Sequence, residues 1–144
     1  MNIYTIGFTK KSAKDFFKKL IENKVKTVID IRLNNTSQLA GYAKKDDLIY
    51  FLKEICNINY IHKPEFAPSE EILKNYKNKK IDWQEYEKQY IQLLKDRKIL
   101  EKIDINEFVN VCLLCSESKP EKCHRRLFAD FLSKNFSNVV VIHL

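Results

Sequence analysis

The 144-residue chain has two glycines, three prolines and four cysteines, and none of its apolar segments approaches the ~20 residues that a membrane-spanning helix needs. Its first apolar run, Ile3 to Phe8, lacks the basic flank and length of a signal peptide. There is no internal repeat, low-complexity tract or linker. These absences read as one soluble, cytosolic domain over residues 1–144, with no membrane partner. Four cysteines could form two disulfides, but a chain of this size folds without staples, and without an export signal reduced thiols are expected. The net charge of +7 comes from lysines scattered along the chain, with no basic tract. It favours an anionic small molecule or nucleic acid in general terms. No exposed patch points to a protein partner, and no motif names a cofactor.

What is present is an alternation of β-rich and helical runs. Ile3–Ile6 and Val25–Ile31 read as strands around a segment whose Phe16, Phe17, Leu20 and Ile21 recur at helical spacing. Ser12 with Asp15 resembles a capping box, so that helix is predicted to start near Ala13. A polar loop over 34–41 leads to a second helical pattern (Leu48, Phe51, Leu52, Ile55) and a strand at Asn59–His62. Ser69 and Asp82 can cap the next two helices. In the second of these, Trp83, Tyr86, Tyr90, Leu93 and Leu94 share a face that reads as a buried stripe. Phe108–Cys115 is predicted as a strand, Pro120–Asn135 as a helix and Val139–Ile142 as the last strand. Near-continuous apolar strands between amphipathic helices imply an α/β, three-layer, doubly wound, Rossmann-like domain with a mostly parallel sheet of about five strands, ordered 3-2-1-4-5. In that order the first and fourth strands adjoin where the winding reverses, and ligands of open α/β sheets favour such a place.

The junction 112–126 holds most of the reactive side chains. Cys123, early in its helix and close to Lys122, His124 and Arg125, is either a partly ionised nucleophile or a small residue packing helix against sheet. His124 shares a face with Leu127, Phe128 and Phe131 and points toward the strand ends, as a structural histidine or an acid/base group. Glu117 could orient it or act as a base. Cys115 ends its strand. Arg126 lies one turn before Asp130, which predicts a surface ion pair. Arg125 aligns with the buried side and is the favoured anion ligand. Cys112, Cys115, Cys123 and His124 could offer four metal ligands, but alternation in a strand sends Cys112 and Cys115 to opposite faces, so no metal is assigned.

Elsewhere, Asp30 and Arg32 end the second strand on one face, where they either pair or present charge to the crevice. Gly7 and Thr9 end the first; Gly7 implies a tight turn or close backbone approach. His62 is a weaker candidate, farther from the expected site.

The fragments Tyr4-Thr5-Ile6-Gly7, Val28-Ile29-Asp30-Ile31-Arg32, Tyr60-Ile61-His62, Leu114-Cys115-Ser116-Glu117, Cys123-His124-Arg125 and Val141-Ile142-His143-Leu144 together resemble the bacterial and archaeal domain-of-unknown-function family 488. The resemblance runs over essentially the whole chain and implies an α/β domain whose site is built from these segments. It implies no particular activity. A His often follows the Thr-Ile-Gly segment in that family, but Phe8 stands here, and Asn34-Asn35 lacks the proline frequent after the Asp-x-Arg strand. A mechanism requiring that His cannot operate in this chain. Two functions fit these residues. One is an enzyme acting on a nucleotide, nucleic acid or other anion through a Cys-His-Arg site, with Cys123, His124, Glu117 and Cys115 doing the chemistry and Gly7, Thr9, Asp30, Arg32 and Arg125 holding substrate. The other is a binding module that holds such a ligand without transforming it.

Overall fold

Val111–Cys115 has no charged or hydroxyl side chain, and every one of its residues is buried. A strand apolar on both faces belongs in the middle of a covered sheet, and this one lies there. In a computed structural model, which describes residues 1–36 and 41–144, five strands form one parallel sheet: β1 (Asn2–Gly7), β2 (Thr27–Asp30), β3 (Asn59–His62), β4 (Val111–Cys115) and β5 (Val140–His143). Among the described residues the helices are α1 (Ala13–Glu22), α2 (Lys45–Phe51), α3 (Glu70–Lys77), α4 (Trp83–Asp96), α5 (Ile99–Lys102) and α6 (His124–Asn135), with short 3-10 and π turns between them. None of the described helices is long and apolar enough to cross a membrane.

The strand order is β3-β2-β4-β1-β5, which corrects the expected 3-2-1-4-5. β4 inserts between β1 and β2, registering Val111 with both Ile3 and Thr27, while β5 takes the edge beside β1. The physical reason lies in burial. β4 hides both faces, whereas β5 is half exposed and suits an edge. Two further boundaries move. The strand predicted from Phe108 begins at Val111, after a 3-10 turn over Ile105–Phe108. The helix predicted from Pro120 begins at His124, because 116–122 carries no apolar residue at helical spacing to anchor an earlier turn. The polar loop expected over 34–41 falls partly on residues 37–40, outside the described residues.

Local capping agrees with the sequence. Ser12 accepts from the Asp15 amide, Ser69 from that of Ile72 and Asp82 from that of Glu85. The sheet separates two apolar layers. Phe16, Phe17, Leu20, Leu48 and Leu52 of α1, α2 and the following π turn pack with Cys112 and Leu114 on one face. Ile72, Tyr86, Tyr90, Leu94, Phe128 and Leu132 of α3, α4 and α6 pack with Leu113 and Cys115 on the other. Cys112 and Cys115 therefore lie on opposite faces, as alternation requires.

This order relocates the crevice. With right-handed crossovers, the chain leaves β2 toward β3 over the α1/α2 face and leaves β4 toward β5 over the α6 face. The two exits diverge between β2 and β4. The opening expected beside β1 and β4 is therefore one strand over, at the C-terminal ends of β2 and β4.

Candidate functional site

Backbone pairing continues just past the end of β2, where the Ile31 amide donates to the Leu114 carbonyl at 3.1 Å. Beyond it the chains part around a cavity of about 460 Å³ lined by Arg32, Leu33, Asn34, Glu70, Leu73, Ser116 and His124. A smaller one of about 170 Å³ adjoins it through Leu73, Ser116 and His124. Its other walls include Cys115, Cys123, Tyr76, Trp83 and Tyr86, with Glu117 and Lys122. The larger groove of about 610 Å³ between α1 and the α2 region has a mainly apolar surface from Phe17, Ile21, Phe51 and Ile55, with Lys14, Lys18 and Glu22 at its edges, and none of the strand-end residues lines it.

Asp30, fully buried, anchors Arg32, which lines the crevice. Arg32 donates to the two Asp30 carboxylate oxygens from Nε at 2.8 Å and Nη2 at 2.7 Å, and the Tyr60 hydroxyl donates to Oδ2 at 2.5 Å. Asn35 donates in turn to the Tyr60 oxygen at 2.8 Å. Burial and the hydrogen bond to Asp30 push the Tyr60 phenol well above its ordinary range, so it is a fixed donor. The ring of Phe8 lies under the Arg32 guanidinium, 5.3 Å from centroid to Cζ, and His62 donates from Nε2 to the Arg32 carbonyl at 2.8 Å. One nitrogen of this group is left over. Arg32 Nη1 is buried and has no hydrogen-bond partner, the only such side-chain atom among the described residues.

Arg125 has a different environment. It is fully buried, and its guanidinium donates to the Glu117 carbonyl, to the Ser118 carbonyl at 3.4 Å and to Thr5 Oγ1 at 3.4 Å. Thr5 Oγ1 is also hydrogen-bonded to Nδ1 of His143 at 2.6 Å. Gly7 is explained by the same packing. A Cβ there would lie 1.6 Å from the Glu117 carbonyl oxygen and 2.7 Å from Arg125 Nη1. The close approach expected of Gly7 is thus to the loop after β4. Thr9, exposed, contributes its amide to the Ser116 carbonyl at 3.0 Å. Gly7, Thr9 and Arg125 hold the 116–118 loop in place and do not line the crevice. Arg126 makes the predicted surface pair with Asp130 at 3.0 Å.

His124, the first residue of α6, donates from Nε2 to the Ile31 carbonyl at 2.8 Å, which bridges β2 and α6 across the crevice. Burial is the main cause that lowers its pKa to about 4, so the ring is neutral near pH 7 with Nδ1 unprotonated. Cys123 caps α6 without a side-chain hydrogen bond, and Cys115 ends β4. The structure joins these two in a disulfide, where reduced thiols were expected; Cys56 and Cys112 are free. Alternation puts Cys115 on the α6 face but does not reveal that the cap of α6 returns onto it. Glu117 is exposed at the rim of the smaller cavity. Tyr60, Phe8, Ser116 and the Tyr76–Trp83–Tyr86 wall are site residues that the sequence did not single out. Trp83 and Tyr86 are stacked, with ring centroids 4.7 Å apart. Tyr60 could have been found, since it neighbours Val28 in the parallel register two residues before Asp30.

The profile of the domain of unknown function DUF488 matches residues 12–132, which covers Asp30, Arg32, both site cysteines and His124. The chain belongs to the DUF488 family. Comparison with curated proteins and with solved structures gives no match. The crevice of this DUF488 domain is thus assembled from the Asp-x-Arg end of β2, the Cys end of β4 and the Cys-His start of α6, and its chemistry has to be argued from those groups.

Proposed function

We propose that the chain is an enzyme acting on an anionic substrate, a nucleotide or nucleic-acid phosphate, in the crevice between the ends of β2 and β4. The observation that carries this reading is Arg32 Nη1, a buried cationic donor without a partner on a side chain that lines the cavity. A buried N–H left unpaired costs about 1–3 kcal/mol, more if charged, and a phosphate or carboxylate oxygen supplies what it lacks. The start of α6 adds to this, since its first-turn amides receive no side-chain cap. The Tyr76–Trp83–Tyr86 wall beside it offers rings against which a base could stack.

In this reading Asp30 and Tyr60 hold Arg32, and Arg32 holds the anion. Neutral His124 accepts a proton at Nδ1, Glu117 at the rim exchanges protons with solvent, and Cys123 is the nucleophile when its sulfur is free. Gly7, Thr9 and Arg125 fix the loop that shapes one wall. The alternative, a module that binds the same class of ligand without transforming it, is favoured by the Cys115–Cys123 disulfide, which withdraws the Cys123 sulfur from nucleophilic attack.

Titration calorimetry with orthophosphate and nucleoside monophosphates at low salt tests the binding. Affinity is expected to fall with added salt. Arg32→Lys, which can still pair with Asp30 but has no second nitrogen, is expected to weaken it by roughly 10-fold or more, from the 1.5–3 kcal/mol of a charge-assisted hydrogen bond. Absence of binding to the wild-type protein overturns the reading. Turnover of a nucleotide that survives both Cys123→Ser and His124→Gln removes the catalytic roles, and binding without turnover leaves the module.

A further inference from the structure

Cys115, Cys123 and His124 have a second arrangement open to them. Their two sulfurs and a ring nitrogen lie within 4.8 Å of one another, and all three residues are buried. Two thiolates on one tetrahedral zinc sit about 3.8 Å apart, and a thiolate and an imidazole nitrogen about 3.5 Å apart, from metal–ligand lengths of ~2.3 and ~2.0–2.1 Å. The 4.8 Å bound exceeds those separations by about 1 Å, so side-chain adjustment of that order brings the three atoms onto one ion. Their sources are independent pieces of the fold, the end of a central strand and the start of a helix docked on it, so the grouping does not depend on a flexible loop.

The histidine has one ring nitrogen to spare for such a role. Nε2 is committed to the Ile31 carbonyl at 2.8 Å, which leaves Nδ1 with its lone pair. A ring nitrogen held by a backbone carbonyl while the other faces the metal is the usual outer-shell arrangement of ligating histidines. The cysteine spacing is informative as well. The Cα atoms of Cys115 and Cys123 are 7.6 Å apart, beyond the about 4.4–6.8 Å usual for disulfides, whereas two thiolates splayed around an ion are served by a wider span. Cys112 takes no part, since it lies on the opposite face of the sheet.

We propose that in the dithiol state Cys115 Sγ, Cys123 Sγ and His124 Nδ1 bind one zinc-class divalent cation, with the fourth position open to the cavity walled by Tyr86, Trp83 and Leu73. Two thiolates neutralise the charge of the ion, which suits a buried site. Three protein ligands with one open position is the pattern of zinc sites that act on a bound water or substrate. The proposal deepens the reading above and rests on the same crevice without using Arg32; in the metal-bound state Cys123 Sγ and His124 Nδ1 are ligands and give up the nucleophile and proton-acceptor roles assigned to them above. The thiols are the form that binds; a phosphine converts the disulfide to them, supplying two electrons and leaving as its oxide while water supplies the two protons. On binding, the ion displaces both thiol protons into solvent.

The test is cobalt(II) titration of the full chain after phosphine reduction and removal of the reductant and trace metal. One equivalent is expected to bind, with tetrahedral d–d absorption and a charge-transfer band of the intensity of two thiolates, and zinc is expected to displace it. His124→Gln is expected to weaken binding by more than the ~10–100-fold that an outer-shell partner is worth, and Cys115→Ser to halve the charge-transfer intensity. The double variant Cys56→Ser/Cys112→Ser is expected to behave as wild type. No thiolate band in the reduced wild-type protein overturns the proposal whatever the variants do, as does a band of unchanged intensity in Cys115→Ser or one that is lost in Cys56→Ser/Cys112→Ser. Arg32→Lys separates the two proposals. It is expected to weaken phosphate binding and leave metal uptake unchanged; in the wild-type chain, metal uptake without phosphate binding leaves the metal site standing and the anion reading refuted, and phosphate binding without metal uptake does the reverse.

Discussion

The two flanks of β4 are built from similar residue types and end up in opposite conditions. On the β1 side, Gly7, Thr5, Arg125 and His143 are closed on one another and on the carbonyls of the 116–118 loop. On the β2 side, Arg32 keeps an unpartnered nitrogen, His124 keeps a ring nitrogen, and cavities remain. Each flank has one buried arginine, so burial alone does not mark a site. What differs is the route of the chain. Where exits from adjacent strands cross the sheet in opposite senses, loops close over the strand ends; where they diverge, the ends stay open. Charge that is spent on the chain's own carbonyls builds a wall, and charge that exceeds its partners is available to a ligand.

The largest effect is expected from breaking the open flank at the carboxylate that anchors Arg32. Asp30→Ala leaves the buried Arg32 cation unpaired and is expected to cost about 3–5 kcal/mol in urea denaturation. If the open flank takes anions, millimolar phosphate should restore part of that loss by mass action. A loss under 1 kcal/mol would mean that the pair does not hold the crevice.

A somewhat smaller effect belongs to pH. The folded-state pKa of His124 is lowered to about 4, against about 6.5 in an unfolded chain. Between those values the unfolded state takes up a proton that the folded state refuses, so stability is full above pH ~6.5, falls as pH drops toward 4 and levels off below. The total is roughly 3 kcal/mol. His143, on the packed flank, shifts in the same direction, so His124→Gln isolates the first contribution by removing its share of the slope. An unchanged slope in that variant would move the pH dependence to the packed flank.

Smaller again is Gly7→Ala on the packed flank. The added methyl meets the Glu117 main chain first and the buried Arg125 guanidinium next, and overpacking of this kind costs about 1–3 kcal/mol. Phosphate should give this variant no more stabilisation than it gives wild type. If phosphate affinity fell as far in Gly7→Ala as in Arg32→Lys, the separation of the flanks would be wrong.

Much of the architecture was legible in local pattern. Capping by Ser12, Ser69 and Asp82, the Trp83–Leu94 stripe and the opposed faces of Cys112 and Cys115 all follow from period and side-chain chemistry. Strand order was less so, because parallel partners are remote in sequence. The clue lay in the apolar character of Val111–Cys115, which calls for neighbours on both sides. Of the site, periodicity turned Arg125 and His124 inward correctly but could not say what each would meet. For Arg125 the partners are main-chain carbonyls, which leave no trace in side-chain pattern. Of the two alternatives open to Asp30 and Arg32, pairing is the one present, yet its consequence, one nitrogen too many, depends on three-dimensional packing around Tyr60 and Phe8. The Cys115–Cys123 approach required knowing where α6 starts, and the helix pattern placed that start a turn too early.

The insertion of β4 between β1 and β2 also bears on how the chain is made. A ribosome delivers β1, β2 and β3 first, and β1 and β2 then lack the partner they share. Until Val111–Cys115 emerges, the nascent chain can zip β2 to β3 but must leave β1 with an unpaired edge, the kind of surface that chaperones cover and that aggregation exploits. Contacts of such long sequence separation close slowly. The time β1 and β2 spend without the partner they share is therefore set by translation of the segment between β3 and β4, and slow codons placed there would lengthen it.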